Sequence, residues 1–240
     1  MTATQWHGRP LGAETGGKRL PQRLWGRIRN GLIVQDLLDS LGHIGLVIRP
    51  YFVNADSAQH EAAASPLPEQ CSVRQLTAAD VQQILRITLR PPNPTELASS
   101  LEQYYCLGLF YEGALVAYAW ASTRRLPVPE SHGGKLFDLT ADEVYLFDMY
   151  VIPRHRGTRL AATLAQSIQW QMTQLGRRTF YSLTIAFNRS ARRFKARVGA
   201  REMELRLYLH LRWGKLSGVD FRLRRWGPNL RTADWMRVDA

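Results

Sequence analysis

The sequence predicts a mixed α/β fold, a mixed sheet flanked by helices, and three observations carry that expectation. Strand-like and helix-like patterns alternate from residue 71 to about 213, which is the order of an α/β layered domain. Two aromatic and apolar runs, "YYCLGLFY" and "ALVAYAWAST", flank Glu112 and Gly113 as a hairpin would. Hydrophobic residues make up 45% of the 240 and charged residues 22%, the balance of a globular chain rather than a disordered or fibrous one.

Taken in order, residues 1–19 hold Gly, Thr and basic residues without periodicity and read as a mobile basic arm. Leu24, Trp25, Ile28, Leu32, Leu38 and Leu41 then recur mostly at three- and four-residue steps with Arg23, Arg27 and Arg29 between them. That spacing predicts an amphipathic basic helix, either covering a sheet or meeting a membrane surface or partner. A strand over 44–53 completes an N-terminal helix-strand extension at 20–53, and 54–70 reads as a linker. The main domain is expected over 71–240. "CSVRQL" is a strand, and Thr77 with Asp80 caps a following helix. A proline-rich break and a short helix precede the hairpin. Residues 124–140, with Pro127, Pro129, Gly133 and Gly134, form a long loop of the kind that is usually functional or disordered. "EVYLFDMYVIP" is a strand, 157–175 a helix, "TFYSLTIAF" a strand, "NRSARRFKARVG" a helix and "AREMELRLYLHLRW" a strand.

Charge narrows the partners without choosing one. The formal net charge is +12, and Lys plus Arg exceed Asp plus Glu by 4 in residues 1–50, fall short by 6 in 51–150 and exceed by 14 in 151–240. A positive C-terminal field concentrates polyanions: nucleotide cofactors, acidic carrier proteins, anionic lipid or nucleic acid. In the tail, Trp213, Phe221, Trp226 and Trp235 alternate with Arg222, Arg224, Arg225 and Arg231, which suits a final hairpin with a solvated arginine face or a surface that stacks on bases or lipid. No apolar run reaches the roughly 18 residues of a membrane helix. Only Cys71 and Cys106 occur, with no metal-ligand spacing, so no metal and a reducing cytoplasmic setting are expected.

The chemistry concentrates in "YVIPRHRGTRLAATL", residues 150–164, where a strand ends at Pro153 and a helix opens behind three arginines and a glycine. The first turn of a helix presents bare N–H groups and a positive dipole end, a ready seat for phosphate. Arg154, Arg156 and Arg159 would add charge-assisted bonds, and Gly157 would allow a close backbone approach. The stretch is neither a Walker loop nor a dinucleotide fingerprint. Val151, Ile152 and Pro153, then Arg156 and Ala161, then Asn188, Ala191 and Gly199 follow the order of two motifs. In this the chain resembles the GCN5-related N-acetyltransferase (GNAT) superfamily, with an extra N-terminal helix and strand.

The resemblance implies transfer of an acetyl or other acyl group from acyl-CoA to an amine. It assigns the backbone of Met149 and Val151 to the pantetheine arm and the thioester carbonyl. It assigns the amides of Arg156, Gly157, Thr158, Arg159, Leu160 and Ala161 to the pyrophosphate, and the Asn188 side chain to pantetheine. Two departures stand out: Arg159 replaces the central motif glycine, and Lys195 stands where a tyrosine often acts as general acid. Lys195 is therefore either a proton donor to the leaving thiolate or a solvated lysine. For the base, Asp148 and Glu143 lie on the motif strand. Asp148 is preferred because an unpaired carboxylate in an aromatic and apolar run is costly, the alternative being a partner arginine. Tyr145 and Tyr150 would line the acceptor site or fill the core, and His155 reads as a loop residue. Donors open at this point are acetyl-CoA, long-chain acyl-CoA or an acidic acyl-carrier protein. The acceptor is a small-molecule or peptide amine, peripheral membrane contact is compatible, and nucleic acid is disfavoured. A degenerate fold that only binds a partner is the remaining alternative.

Overall fold

A computed structural model describes residues 28, 32–57, 67–88, 91–123, 125–126, 137–211 and 219–226. They fall into two compact units, one within Met1–Ala55, Pro127–Phe137 and Leu183–Ala240, the other within Asp56–Leu126 and Asp138–Ser182. The basic arm at 1–19, most of the loop at 124–140, and Trp213, Arg231 and Trp235 lie outside the described residues.

In the first unit, α1 (Leu32–His43) leads to β1 (Leu46–Ser57). The strand runs four residues beyond the expected boundary, into the expected linker, because Asn54 and Ala55 still pair with Glu202 and Arg201 of a later strand, after a register shift at Val53/Asn54. Buried Tyr51, Val53 and Tyr208 form its core, with Val47 and Leu183 packed against them.

The second unit opens with β2 (Cys71–Gln75) and a 3-10 turn at Ala78–Asp80 that passes into α2 (Val81–Ile87). The cap expected at Thr77 and Asp80 is present: the Asp80 carboxylate accepts from the Thr77 backbone N–H at 3.0 Å. Arg74 also binds that carboxylate through both guanidinium nitrogens, at 2.8 and 2.7 Å, and this pairing holds the Asp80 pKa below the usual carboxylate range. Next, α3 (Pro94–Gln103) has Asn93 as N-cap and Pro94 in its first turn, the positions those residues favour. The hairpin is β3 (Tyr105–Tyr111) and β4 (Ala114–Ser122). Its two-residue turn takes φ 51° at Glu112 and 77° at Gly113, the twist that matches paired strands.

Two-residue strands β5 (Arg125–Leu126) and β6 (Phe137–Asp138) border the undescribed part of the long loop, and β7 (Glu143–Val151) follows. The expected helix at 157–175 is α4, Leu160–Gln174. It starts three residues late because Gly157 sits at φ 81°, outside the right-handed helical region. Then come β8 (Thr179–Ile185), α5 (Arg189–Arg197), β9 (Arg201–Leu211) and β10 (Val219–Arg225). In the second unit the strand order is β8-β7-β4-β3-β2 and in the first β10-β9-β1. The β7–β8 pair is parallel and the described neighbours β2–β3, β3–β4, β4–β7, β1–β9 and β9–β10 are antiparallel, so the sheet is mixed, as expected. β10 closes a hairpin on β9 with Arg222, Arg224 and Arg225 exposed.

Both faces of the second unit's sheet are covered. Leu160, Leu164, Ile168 and Met172 of α4, spaced by four, pack on Leu107, Leu109, Ala117, Ala119, Ala121 and Val144. The opposite face holds Tyr118, Trp120, Cys106 and Phe110 under Ile84, Leu97 and Leu101. Gly108 pairs with Tyr118, and a Cβ there would come 2.6 Å from Leu76 Cδ2 and 2.9 Å from Leu115 Cδ1. Both leucines are buried in this face, so relief of the contact has to come from shifts within the packed layer. Gly108→Ala is therefore expected to destabilise the protein by about 1–3 kcal/mol through overpacking, read as a lower urea midpoint with an unchanged m-value.

Candidate active site

The centre of the site is one extra residue in β7. Tyr118 pairs with Tyr150 and Trp120 with Phe147, so Ala119 of β4 faces two residues, Asp148 and Met149. This is a β-bulge. Asp148 adopts φ 40°, a conformation an aspartate tolerates better than a branched residue does. Side chains on a strand alternate between faces, and one extra residue inverts the alternation. Before the bulge Leu146 packs toward α4 and Phe147 toward α2 and α3; after it Met149 and Val151 pack toward α4, and Tyr150 joins Phe147.

The ladder on the other edge of β7 is short. Its parallel register with β8 covers Glu143↔Thr179, Val144↔Phe180 and Tyr145↔Tyr181, and within this unit it ends there. The pairing with β4 continues to Val151. The strand segment assigned by resemblance to pantetheine, Met149 and Val151, thus lies past the end of that parallel ladder.

Asp148 is exposed, yet its surroundings are aromatic. On the same face Tyr118 stacks with Tyr150 at 5.6 Å between centroids and meets Trp120 edge-on at 6.5 Å. Trp120 stacks with Phe147 at 6.1 Å. Desolvation by these neighbours pushes the Asp148 pKa up to about 6. An oxygen that water reaches is only partly stripped of hydration, so the shift is bounded, but its upward sign follows from the apolar wall. The carboxylate in turn acts on its neighbours. Burial first, and the Asp148 charge second, raise the Tyr118 hydroxyl and the Cys106 thiol, so both remain protonated donors. The Tyr118 hydroxyl lies 3.5 Å from Thr88 Oγ1.

Glu143 is placed differently. It is 8% exposed at the start of β7, and its carboxylate accepts from the Thr140 backbone N–H at 3.0 Å and from the Tyr181 hydroxyl at 3.1 Å. Both oxygens are committed to holding the strand entrance. Tyr145 is buried, stacked on Phe147 at 5.6 Å.

At the C-terminal end of β7, Pro153–His155 form a 3-10 turn and residues 156–159 are exposed. Gly157 is required by its φ of 81° rather than by crowding, since a Cβ there would meet nothing within 4 Å. Thr158 Oγ1 accepts from the Leu160 N–H at 3.3 Å and donates to the His155 carbonyl at 2.7 Å. The Thr158 N–H reaches the His155 carbonyl at 3.4 Å and the Arg156 N–H the Pro153 carbonyl at 3.2 Å. Among the described residues, the N–H groups of Gly157, Arg159, Ala161 and Ala162 have no acceptor. Arg156 folds back: its Nε donates to the Val151 carbonyl at 3.0 Å and its guanidinium lies 5.8 Å from the Tyr150 ring centre. Its two terminal nitrogens are left for a ligand. Arg159 is exposed, directly before the helix, with φ −68° and ψ −18°, so the helical path passes through it without distortion. The His155 ring lies 5.4 Å from that of Tyr111.

In the first unit, Asn188 caps α5: its Oδ1 accepts from the Ala191 N–H at 3.0 Å, which leaves the amide NH₂ to donate. Lys195 lies half-buried near the other end of that helix. Arg192 is engaged with Glu202 at 2.6 and 3.0 Å and lies over the Phe52 ring at 4.2 Å.

Tyr118, Trp120, Cys106 and Thr88 were not expected at the site from the sequence. The alternation "YAW" in β4 was the available signal, since it sets two large aromatics on one face with alanines on the other.

The family model for the acetyltransferase (GNAT) family matches residues 78–200, just over half of the chain, and the chain belongs to that family. No curated protein sequence matches it significantly. Among solved structures, a Drosophila protein is similar at 18% identity, covering 71% of this chain and 54% of that one, with a TM-score of 0.50. A putative GNAT-family acetyltransferase from Novosphingobium aromaticivorans has 20% identity, 70% and 66% coverage and a TM-score of 0.50. A conserved protein of unknown function from Staphylococcus epidermidis has 10% identity, 73% and 66% coverage and a TM-score of 0.50. The chain therefore spans about half to two thirds of the length of these structures, which share its fold. Among the described residues no helix is long and apolar enough to cross a membrane, and no group of three or more His, Cys, Asp or Glu is arranged to hold a metal.

The bulge has measurable consequences for stability. Desolvation by the flanking aromatic side chains lifts the folded-state pKa of Asp148 from 3.8 to about 6, so the folded state holds the proton more tightly and stability falls as pH rises through that interval. Asp148→Asn, which keeps a residue suited to positive φ, is expected to melt higher than the parent above pH 6 and to lose that advantage below pH 3.8. Asp148→Val should be less stable than Asp148→Asn by about 1–2 kcal/mol at either pH, because a branched residue is strained in the left-handed region. Thermal melts at pH 3.5 and pH 7.5 check both.

Proposed function

We propose that this chain is an N-acyltransferase that moves an acetyl or related acyl group from acyl-CoA to the amine of a small molecule or peptide by direct attack. The observation that carries the reading is the set of N–H groups without an acceptor among the described residues at Gly157, Arg159, Ala161 and Ala162, the first two exposed and the last two half-buried, at the head of α4 and joined to the bulged strand. Such a turn stabilises a diphosphate through hydrogen bonds and the helix dipole, and the terminal nitrogens of Arg156 and the side chain of Arg159 add charge. Thr158 and Leu160 shape the turn rather than bind, since each is satisfied internally. The Met149 and Val151 backbone offers strand-like hydrogen bonds to the pantetheine arm, and Asn188 supplies an amide donor.

Chemistry then follows from Asp148. An alkylammonium with a pKa near 10 is only about a thousandth neutral at pH 7, equivalent to roughly 4 kcal/mol of barrier. Asp148, with its pKa raised to about 6, is largely ionised at pH 7 and a stronger base than an ordinary aspartate. It takes one proton from the ammonium, directly or through water. The freed amine attacks the thioester carbon, forming the C–N bond while N–H donors of the strand hold the developing oxyanion. Collapse breaks the C–S bond, and the thiolate takes up a proton as the nitrogen loses its second one. Lys195 is the residue assigned to that delivery.

The reading predicts that isothermal titration detects acetyl-CoA binding by the wild-type chain and by Asp148→Asn with similar affinity. The same substitution should cut kcat/KM for CoA release by on the order of a hundredfold and abolish the rise in rate through pH 6. Absence of binding to any acyl-CoA would remove the assignment.

A further inference from the structure

A surface helix normally turns its apolar side inward and its polar side to water, and α1 (Leu32–His43) does the reverse. Val34, Leu37 and Leu41, with Ile44 directly after the helix, recur at steps of three, four and three residues, which sets them on one stripe. The Ile44 N–H still reaches the Leu41 carbonyl at 3.1 Å, so the turn continues through it. Leu37 is 64% exposed, Ile44 56% and Val34 42%, and Leu41 is half-buried. Gln35 lies two residues from Leu37, or about 200° round the helix, and is only 8% exposed; Asp39, one turn on from it, is half-buried. Gln35 Nε2 donates to Asp39 Oδ1 at 3.0 Å, yet Gln35 Oε1 and Asp39 Oδ2 are buried with no hydrogen-bond partner among the described residues. The polar side is thus covered at a cost while the apolar side meets water. A stripe of four aliphatic residues marks a surface that something else covers.

Charge points to the occupant. In the sequence of the first unit Lys plus Arg exceed Asp plus Glu by 13 (22 against 9), and in the second they fall short by 1 (10 against 11). The unit that carries α1 therefore holds all of the net positive charge. Residues 15–35, which lead into the helix and begin it, contain five Lys or Arg and no Asp or Glu. The two acids of α1, Asp36 and Asp39, occupy none of the stripe positions. A nucleic acid would answer the charge and leave the aliphatic stripe in water. A second copy would bring two such positive units together. Two helices of 12 residues, each about 18 Å long and 10 Å wide, would also cover only on the order of 400 Å² between them, against the roughly 1,200 Å² of a stable pair. An anionic bilayer answers both features at once.

We propose that the face of α1 made by Val34, Leu37, Leu41 and Ile44 docks on an anionic lipid bilayer. The helix lies in the plane of the interface and its aliphatic side chains enter the boundary between headgroups and acyl chains. The positive field of the first unit draws the chain to acidic headgroups. Charge selects the lipid, and apolar contact holds the helix at short range. Docking of this kind is independent of the acyl-transfer reading, since it needs no acyl-CoA and no residue of the active site.

The test sediments the full chain, at physiological salt, with vesicles of phosphatidylcholine alone and of equimolar phosphatidylcholine and phosphatidylserine. The wild type should bind the mixed vesicles and not those of phosphatidylcholine alone. The double variant Leu37→Ser/Ile44→Ser should bind the mixed vesicles at least about tenfold more weakly. Leu175→Ser, which removes a leucine of similar exposure (61%) from the second unit, should bind as the wild type does. All three side chains are exposed, so the variants should melt as the wild type does, which separates lost docking from lost folding. No binding to the mixed vesicles, equal binding to both kinds, or binding that the double substitution leaves unchanged would overturn the proposal. So would a wild-type dimer that the double variant converts to monomer, or binding to duplex DNA that the double variant weakens, because either gives the stripe a different occupant.

Discussion

The single extra residue in β7 is the constraint on which the arrangement of the site depends. Without it, Asp148 would lie opposite Ala119 as an ordinary ladder residue, Met149 would share the face of Phe147, and Tyr150 would point toward α4. With it, the apolar side chains of Met149 and Val151 meet the α4 layer, Tyr150 completes the aromatic face, and a carboxylate stands where neither layer covers it. The left-handed backbone at Asp148 costs free energy that a regular strand would not. Its persistence needs the flanking pairs, Tyr118 with Tyr150 and Trp120 with Phe147, to hold the register on either side.

The helix that follows is placed by the same strand. Two residues after the Val151–Ala117 pair, the 3-10 turn at Pro153–His155 begins and redirects the chain, and Gly157 in the left-handed region sets the helix start at Leu160. Thr158 closes part of the turn upon itself, which fixes the loop while leaving other amides bare. Arg156 ties the turn back to the Val151 carbonyl, so the loop and the strand end move as one piece. A site on rigid, mutually bonded segments loses less entropy when it takes a ligand than one on a free loop does.

Much of the framework was legible because its signals are local. The hairpin turn at Glu112–Gly113 and the Thr77–Asp80 cap each need only a few adjacent residues, and each lies where the pattern put it. The β7–α4 junction was legible through Pro153 and Gly157. The bulge was not. "EVYLFDMYV" alternates plausibly as one unbroken strand, and only the pairing partner on β4, a non-local feature, fixes where the extra residue falls. The aromatic and apolar run around Asp148 already favoured it over Glu143 in the sequence, but only the fold shows one carboxylate buried in bonds to Thr140 and Tyr181 and the other open. The "YAW" alternation set Tyr118 and Trp120 on one face, but nothing in a strand's own sequence says which neighbours that face will meet.

The bulge also bears on how the parts of the site can vary independently. Asp148, the strand backbone at Met149 and the Tyr150 side chain are consecutive, so the carboxylate, the strand N–H groups and the aromatic face are set by the same backbone torsions. A substitution that regularises β7 would not merely move a carboxylate; it would put Met149 and Tyr150 on the opposite faces together. Effects at these three residues should therefore be coupled rather than additive. Residues at the head of α4, held by their own turn bonds, can change with less effect on the strand. The arrangement separates a conservative junction, where geometry serves several roles at once, from a helix entrance where a replacement such as Arg159 for glycine fits without disturbing the helical path.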